Sequence, residues 1–195
     1  MCQIQVNDNI GSKSSMTRFA SLKDMNTLLK IERNCFATDQ LSWRNFQYLL
    51  TRAHAQTLIA EDDGVILGYA MLLFRKGSSI ARLYSFALDL QFQRQGIAAK
   101  LLHTAEDCAR KHNCISLRLE TRQDNVAMQA LVRKNGYRQF GVIANYYQDN
   151  TEALRFEKLL ILQHYCQTRT YHHIKPQVSV KNNLNKLKIN TKLVI

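Results

Sequence analysis

The sequence predicts an α/β domain with a mixed sheet, and its apolar pattern supports this fold class in three places. Ile80–Leu88 is an apolar run typical of a strand, and residues 99–112 after it carry apolar side chains at helical spacing. Ser116–Glu120 follows as a second strand, which completes a strand–helix–strand unit. Asp62–Gly64 separates two further apolar runs, and this turn signature predicts an antiparallel hairpin. Parallel and antiparallel strands therefore belong to one sheet.

The N-terminal half predicts a strand, two helices and the hairpin. Thr17–Phe19 is typical of a short first strand. Ser21 is an N-cap candidate with an acid three positions later, before apolar residues recur at helical spacing. Ser42 is a second N-cap candidate and predicts another short helix after it. The hairpin strands are Thr57–Ala60 and Val65–Phe74.

The C-terminal half predicts one more helix and the strands that close the sheet. Asn125 caps this helix, and Asn135–Gly136 ends it. Tyr137–Ile143 and Ala153–Leu160 then form an antiparallel pair. These elements give a sheet of about seven strands, flanked by helices, around a central strand–helix–strand unit.

The composition fits a single domain followed by a basic extension. The chain has 195 residues, 46% of them hydrophobic, which suffices for one sizeable core. We expect this domain to span residues 16–162, between an N-terminal extension, 1–15, and a C-terminal extension, 163–195. About half of the formal net charge of +12 comes from the C-terminal extension. We interpret it as a solvated segment, with docking to nucleic acid or an acidic partner as the alternative; without a nucleic-acid fold we do not expect nucleic-acid binding.

The sequence also excludes several classes of protein. No apolar run approaches the roughly 18–20 residues of a membrane span, and residues 1–16 lack the apolar core of a secretory signal. We therefore expect a cytoplasmic protein without membrane contact. The five cysteines are scattered and lack C-x-x-C spacing, so they predict reduced thiols, with Cys35 and Cys108 buried. The histidines have no metal-site spacing, and we expect no metal ion.

The loop at residues 93–98, Gln-Arg-Gln-Gly-Ile-Ala, is typical of a phosphate cradle. Small residues at Gly96 and Ala98 let the backbone approach a ligand, and the free N–H groups of a helix's first turn favour an anion. Arg94 adds a side-chain cation. A glycine before a helix is more often a plain turn, so the cradle depends on the motifs around it.

Four motifs, in this order along the chain, resemble the GNAT superfamily of acetyl-CoA-dependent N-acetyltransferases. The loop just described is similar to the family's Arg/Gln-x-x-Gly-x-Gly/Ala pyrophosphate loop. Leu117–Arg122 resembles its fifth strand, and Asn125–Tyr137 resembles its N-x-x-A-x-x-L-Y-x-K-x-G-F helix. Asn145–Tyr147 with Ala153–Lys158 resembles its closing hairpin. The resemblance covers about residues 16–160.

The branch that the chain resembles most acetylates protein N-terminal amines, as the ribosomal-protein alanine N-acetyltransferases do. Ala81–Ser85 and Asn145–Tyr147 also resemble GNAT domains fused to a papain-like peptidase, although the remaining residues are too few for such a peptidase. The resemblance implies a transferase with acetyl-CoA as co-substrate and a protein or peptide amine as acceptor. The histidines lack metal-site spacing and no serine or cysteine lies in a recognisable nucleophile elbow, so we expect direct transfer in a ternary complex.

The resemblance also implies where the cofactor binds. Its diphosphate would rest on the loop, and its pantetheine would lie between the fourth and fifth strands. The thioester carbonyl and the pantetheine would bond to exposed backbone of the fourth strand at residues 86–88, where the family carries a bulge. Asn125 is similar to a cofactor-contacting asparagine of the family, and it is equally explained as an N-cap. The candidate cofactor-binding residues are Phe86, Ala87, Leu88, Arg94, Gln95, Gly96, Ile97, Ala98, Ala99 and Asn125.

Glu120 is the predicted general base. Acetyl transfer needs a neutral amine, and an ammonium group must lose a proton before it can attack. The N-terminal-amine branch places its base at the end of the fifth strand, where Glu120 interrupts a run of apolar and basic residues. The alternative is a structural salt bridge with Arg118, Arg122 or Arg133.

Aromatic residues are the candidate acceptor contacts, and one family tyrosine is missing. Trp43, Tyr146 and Tyr147 are assigned to the acceptor, with ordinary packing as the alternative. Val132 stands where the branch has a tyrosine that protonates the leaving thiolate, so Tyr137, Tyr146, Tyr147 or water must do this instead. This replacement leaves open a module that binds acyl-CoA without turnover and docks a partner through its basic extension. Acetylation of a small amine is a third possibility.

Overall fold

The computed structural model describes residues 15–160 and a short strand near the C-terminus. Other parts of the two predicted extensions, including Cys2 and Cys166, lie outside the described residues. The described strands are β1 (Met16–Phe19), β2 (Ala55–Asp62), β3 (Val65–Leu73), β4 (Ile80–Leu88), β5 (Ser116–Arg122), β6 (Arg138–Ile143), β7 (Ala153–Leu159) and β8 (Lys192–Val194). The described α-helices are α1 (Met25–Cys35), α2 (Trp43–Thr51), α3 (Ile97–Lys111) and α4 (Val126–Lys134).

The strands form one mixed sheet in the order β1-β2-β3-β4-β5-β7-β6, with β8 also paired to β4. The β4–β5 and β4–β8 pairs are parallel, and the other described pairs are antiparallel. The predicted α/β fold with a mostly antiparallel sheet of seven strands is confirmed. The eighth strand lies in the segment that the sequence predicts to be solvated.

Side-chain caps set the starts of α2 and α4 as predicted. The Ser42 hydroxyl accepts a hydrogen bond from the Asn45 N–H at 3.2 Å, at the start of α2. The Asn125 side chain accepts one from the Met128 N–H at 3.0 Å, at the start of α4. Each cap satisfies an N–H group that has no partner within its helix. Helix α3 begins at Ile97, slightly earlier than the sequence predicts.

The β2–β3 hairpin turns at the predicted site. Asp63 and Gly64 both have positive φ angles, 46° and 78°. Two successive residues with positive φ form the type of two-residue turn whose twist matches that of the flanking strands. Aspartate and glycine tolerate this conformation, which explains why the short turn signal in the sequence is informative.

Two hydrophobic cores cover the two faces of the sheet. One lies beneath α3 and α4 and contains Leu83, Phe86, Leu101, Val132 and Phe156, all fully buried. The other lies beneath α1 and α2, against β2, β3 and part of β4. Helices α1 and α2 contact β2, β3 and β4, so the β5–β7–β6 part of that face keeps charged side chains.

The central strands β4 and β5 are paired only over their first residues. Their ladder joins Ile80–Leu83 to Ser116–Leu119. Strand β4 nevertheless continues to Leu88, and β5 continues to Arg122. A gap therefore opens inside the sheet between the carboxyl-terminal halves of these two parallel strands.

A β-bulge marks the point on β4 where this gap begins. On the β3 side, Met71 is paired with Ser85 and Leu72 is paired with Leu83. Tyr84 is thus an extra residue without a partner on β3. A bulge increases the local bend of a strand, which suits the divergence of β4 from β5.

Gly68 allows the close approach of β3 to β4, and its replacement is our first prediction. A Cβ atom at this position would lie 2.5 Å from the Ala87 carbonyl oxygen and would also collide with Leu88. We expect Gly68→Ala to lower the free energy of unfolding by about 1–3 kcal/mol in urea titrations, because the crowded atoms include backbone. Gly141→Ala is the control, since its Cβ would meet only Arg155 Cδ at 3.6 Å. Equal stability of the two variants would contradict this β3–β4 packing.

Candidate active site

The predicted cradle lies between β4 and α3 and has the backbone shape that an anion site needs. Gly96 has a φ of 78° and ends the loop immediately before α3. A Cβ atom built on Gly96 would meet nothing within 4 Å, so the space above the loop is open. Ile97, Ala98 and Ala99 form the first turn of the helix, and their N–H groups precede the first intrahelical bonds. The residues present therefore fit a bound phosphate group.

Arg94 supplies the cation that the sequence predicts for this loop. It is exposed, has a φ of 61°, and makes no ion pair with the described part of the chain. Gln95 instead donates from its side chain to the Gln91 carbonyl at 3.3 Å, which holds the loop against the turn before it. The cradle thus combines helix N–H groups with one available guanidinium group.

The sequence predicts exposed backbone on β4 beside the cradle, but in the structure this backbone is paired with another strand. Ser85, Phe86 and Ala87 pair with Lys192–Val194 of β8 in a parallel ladder, and this differs from the prediction of open backbone at residues 86–88. The bulge of β4 is also displaced, because it falls at Tyr84 and not within residues 86–88. The sequence could not indicate either feature, since both depend on pairing with residues distant along the chain.

Glu120 lies on β5 near the gap and is held by two arginines. Its side chain is 5% exposed. Arg82 Nε donates to Glu120 Oε2 at 2.9 Å, and Arg155 Nε lies 3.5 Å from Oε1. Burial lowers the pKa of Arg82, but the charge of Glu120 and the contact with Tyr146 outweigh this and raise it overall. Arg82 therefore keeps its positive charge beside Glu120 at neutral pH.

Glu120 forms salt bridges, but with other arginines than the three that the sequence suggested. Within residues 15–160, the ion pairs of Glu120 are with Arg82 and Arg155, and not with any of the three arginines that the sequence suggested. Arg118 pairs with Glu157 at 2.9 Å, and Arg122 pairs with Asp124 and Asp149. Arg133 bonds to the side chains of Gln129 and Gln139. The reason is register, because Arg155 is the cross-strand neighbour of Glu120 and Arg82 lies on the adjacent strand.

The hairpin tyrosines join this site. Tyr146 Oη accepts a hydrogen bond of 2.6 Å from Arg82, so Glu120, Arg82 and Tyr146 form a continuous polar chain. Tyr147 packs edge-on against Tyr146 with ring centroids 5.1 Å apart and is itself buried. Burial raises the pKa of Tyr147 well above its ordinary value. Trp43 begins α2 with 49% of its surface exposed and is not part of this aromatic pair.

The remaining proton-donor candidates differ sharply in position. Val132 is fully buried on α4 and contributes to the core beneath α3. Tyr137 is buried in the same core, and burial together with the nearby Glu106 raises its pKa well above 10. Among the three tyrosines considered, Tyr146 is the one whose hydroxyl bonds directly to a partner of Glu120.

A buried polar network behind β4 was missed at the sequence level. Glu32 of α1 is fully buried and accepts hydrogen bonds from the Leu41 N–H, at 2.7 Å, and from the Tyr69 hydroxyl. Tyr69 Oη lies 2.9 Å from Ser85 Oγ on β4. Burial and the neighbouring Glu32 raise the pKa of Tyr69 well above 10. The signal was present, since Glu32 continues the apolar stripe of Met25, Leu28 and Leu29 at helical spacing.

Removing the Glu32 carboxylate should destabilise the protein. We expect Glu32→Ala to lower the free energy of unfolding by about 2–4 kcal/mol, because the Leu41 N–H and Tyr69 hydroxyl lose their buried acceptor. Glu32→Gln is the matched control, since it keeps one carbonyl acceptor and should lose less. Urea titration measures both, and a Glu32→Ala variant as stable as the parent chain would refute this role.

Several other chemistries find no support in the described residues. Burial raises the pKa of the Cys35 thiol to about 12, with Asp89 and Glu32 adding to the shift, so this half-buried cysteine is not an activated nucleophile. Cys108 is buried as predicted, whereas Cys35, also predicted to be buried, is only partly covered. Within residues 15–160 and β8, no group of three or more His, Cys, Asp or Glu side chains is arranged to hold a metal. The helices described here are too short or too polar to span a membrane.

The fold and the site together define a class of protein. In the mixed sheet two parallel strands diverge, a glycine loop follows the first of them at the N-terminus of a helix, and a buried acid lies on the second. Residues 22–137 match the family described as acetyltransferase (GNAT) family. The chain belongs to this GNAT family and is an acetyl-CoA-dependent N-acetyltransferase.

Curated relatives carry names of the same kind. The chain is similar to a [ribosomal protein bS18]-alanine N-acetyltransferase of Haemophilus ducreyi, with 31% identity over 128 residues, covering 64% of this chain and 83% of the relative. It is also similar to an N-alpha-acetyltransferase of Sulfurisphaera tokodaii, with 27% identity over 152 residues, covering 72% of this chain and 90% of the relative.

Solved structures support the fold. The crystal structure of the ribosomal-protein-S18-alanine N-acetyltransferase from Escherichia coli superposes with a TM-score of 0.69 at 22% identity. The superposition covers 80% of this chain and 99% of that one. At this identity the likeness concerns the arrangement of the elements and leaves the acceptor to be argued from the site.

Proposed function

We propose that the chain transfers the acetyl group of acetyl-CoA to the primary amine at a protein or peptide N-terminus, by direct transfer in a ternary complex. One observation carries this proposal. The carboxyl ends of the parallel strands β4 and β5 lie at the same edge of the sheet, where the loop with Gly96 follows β4 and Glu120 lies just beyond the β4–β5 ladder. Such an edge is where α/β sheets bind ligands.

The cradle is the proposed site for the diphosphate of acetyl-CoA. The N–H groups of Ile97, Ala98 and Ala99 would hold the phosphate oxygens, and Arg94 would neutralise part of their charge. The pantetheine would lie in the gap along Phe86, Ala87 and Leu88 of β4, with Asn125 near its other side. Asn125 would combine this contact with its N-cap bond to Met128.

Glu120 is proposed to accept the proton that the acceptor ammonium must lose. Its side chain is buried beside the gap and is oriented by Arg82 and Arg155. Once neutral, the amine nitrogen would attack the thioester carbonyl carbon, forming the C–N bond as the C–S bond breaks. The ion pairs show that Glu120 also has a structural role, and the two roles are compatible.

The departing thiolate needs a proton, and Tyr146 or water is the proposed donor. Valine at position 132 cannot supply one. Tyr137 is buried in the core beneath α3 with a raised pKa, which leaves it a poor donor. Tyr146 already bonds to Arg82 in the site and lies with Tyr147 in the hairpin assigned to the acceptor. Trp43 of α2 is the third proposed acceptor contact.

An N-terminal amine is the proposed acceptor because two relatives are named for this reaction. Their names refer to the alanine of ribosomal protein bS18 and to N-alpha-acetylation. The N-terminal α-amine also suits a carboxylate base, since its ordinary pKa of about 8 is lower than that of lysine. A small-molecule amine would fit the same chemistry, and the acceptor test must include one.

Counting released thiol separates these possibilities. The full chain is incubated with acetyl-CoA and a library of peptides with free N-termini, with Nα-blocked lysine peptides and small amines as controls. We expect coenzyme A release with free N-termini and little with the controls. If coenzyme A is released with small amines and not with peptides, the acceptor is a small-molecule amine.

Val132 favours one alternative function, a module that holds acyl-CoA without turnover. In that case acetyl-CoA would bind, as measured by calorimetry, and no acceptor in the library would release thiol. Restoring the family residue tests this further, because Val132→Tyr should gain turnover only if a missing proton donor limits the reaction. The buried position of Val132 means that the stability of this variant must be measured alongside.

A further inference from the structure

The gap between β4 and β5 is filled by another part of the same chain. Strand β8 pairs with β4 in parallel, with Ser85 opposite Lys192, Phe86 opposite Leu193 and Ala87 opposite Val194. It also lies beside β5. The C-terminal strand therefore occupies the interior of the sheet where the two central strands diverge.

This pairing uses the side of β4 that faces the gap. On its other side, β4 is paired with β3 through Ala70, Tyr69 and Gly68, opposite Phe86, Ala87 and Leu88. Backbone groups of a strand that point away from one neighbour can bond only to whatever lies on the other side. At residues 85–87 that neighbour is β8.

The proposed pantetheine position and β8 thus require the same space. Both would bond to backbone at Phe86 and Ala87, and both would lie between β4 and β5. Neighbouring strands stand about 4.8 Å apart, which leaves no room for a second chain in the same layer. Acetyl-CoA can enter the gap only if β8 leaves it.

We propose that β8 is an intrinsic competitive inhibitor, a strand that must be displaced before acetyl-CoA binds. This inference rests on the proposed function, because it needs the cofactor to use the gap. A segment on the same chain competes at a fixed effective concentration, whatever the concentration of the protein. A ladder of three residues offers few hydrogen bonds, so the displacement is reversible by the ligand.

Proline substitutions test the proposal in the full-length chain. Proline lacks the N–H group that a ladder needs, and successive N–H groups of a strand point to opposite sides. The double variant Lys192→Pro/Leu193→Pro therefore removes a donor to β4 in either register. Asn182→Pro/Asn183→Pro is the matched control, with the same two prolines introduced before the strand.

We expect the Lys192→Pro/Leu193→Pro variant to bind acetyl-CoA about three- to tenfold more tightly in calorimetry, with the control unchanged. In this variant, those amide protons of Ser85–Ala87 that point toward β8 should exchange faster without ligand, because β8 no longer protects them, while those that point toward β3 should not change. A synthetic peptide of residues 186–195 should restore the weaker affinity, competitively with acetyl-CoA. The same peptide with prolines at positions 192 and 193 should have no effect.

The outcomes distinguish this inference from the proposed function. Equal acetyl-CoA affinity in the double variant, the control and the parent chain would overturn the inference alone. Weaker binding together with a lower melting temperature would also overturn it, since β8 would then be a permanent part of the sheet. If acetyl-CoA binds to none of the three, the proposed function fails and the inference fails with it.

Discussion

Replacing Glu120 with glutamine should lower the rate of acetyl transfer to a peptide N-terminus by about 10²- to 10⁴-fold near neutral pH, the usual contribution of a general base. Glutamine keeps the size of the side chain and one carbonyl acceptor for Arg82, but it cannot accept the proton. Affinity for acetyl-CoA should change little, because the cradle is on a different element. Initial rates from thiol release and binding by calorimetry measure the two effects separately.

The control for Glu120→Gln is Glu157→Gln, another acid on the same face of the sheet. Glu157 is held by Arg118 at 2.9 Å on the neighbouring strand, so this variant also removes one charge from an ion pair. A similar loss of activity in both variants would assign the effect to broken ion pairs.

The pH profile separates a base from a structural acid. At a pH above the amine pKa, the acceptor is already neutral and needs no base. The difference in acetyl-transfer rate between Glu120→Gln and the parent chain should therefore become smaller as the pH rises. If the rate of Glu120→Gln relative to the parent chain is constant from pH 7 to pH 9, or if the variant is fully active throughout, Glu120 is not the base.

Replacing Gly96 with valine should weaken acetyl-CoA binding about tenfold or more. The φ of 78° at Gly96 is costly for a β-branched residue, by about 1–3 kcal/mol, and the loop can relieve this strain only by changing its shape. A changed loop no longer aims the first N–H groups of α3 at the phosphates. Calorimetric titration with acetyl-CoA measures the loss directly.

Gly77→Val is the matched control for Gly96→Val. Gly77 has a φ of 75° and equally open surroundings, but it lies in the turn before β4, at the opposite end of that strand from the cradle. Both variants should lose similar stability, and only Gly96→Val should lose affinity. Parental affinity in Gly96→Val would refute the placement of the diphosphate.

The features that the sequence predicts well are those set by neighbouring residues. The caps at Ser42 and Asn125 and the turn at Asp63–Gly64 depend on a few adjacent side chains and φ angles, and the structure confirms them. The helical and alternating patterns likewise reveal which elements exist, because burial of one face imposes their period.

The features that the sequence does not predict depend on pairing between distant residues. Arg82 reaches Glu120 from 38 positions earlier, and only the β4–β5 register places them together. The β4–β8 ladder could not be predicted either, because nothing in the sequence of residues 192–194 indicates that they pair with β4. Roles in catalysis and cofactor binding stay predictions for a different reason, because they depend on ligands that a sequence does not contain.

The extra residue at Tyr84 changes the phase of β4. Before Tyr84, the odd-numbered residues Ala81 and Leu83 face the core beneath α3. After Tyr84, the even-numbered residues Phe86 and Leu88 face that core. Tyr84 and Ala87 face the opposite core. Substituting Tyr84 leaves this phase intact, but deleting it would invert Ser85–Leu88 and expel two large apolar side chains from their core. The number of residues in β4 is therefore more strictly constrained than the identity of residue 84.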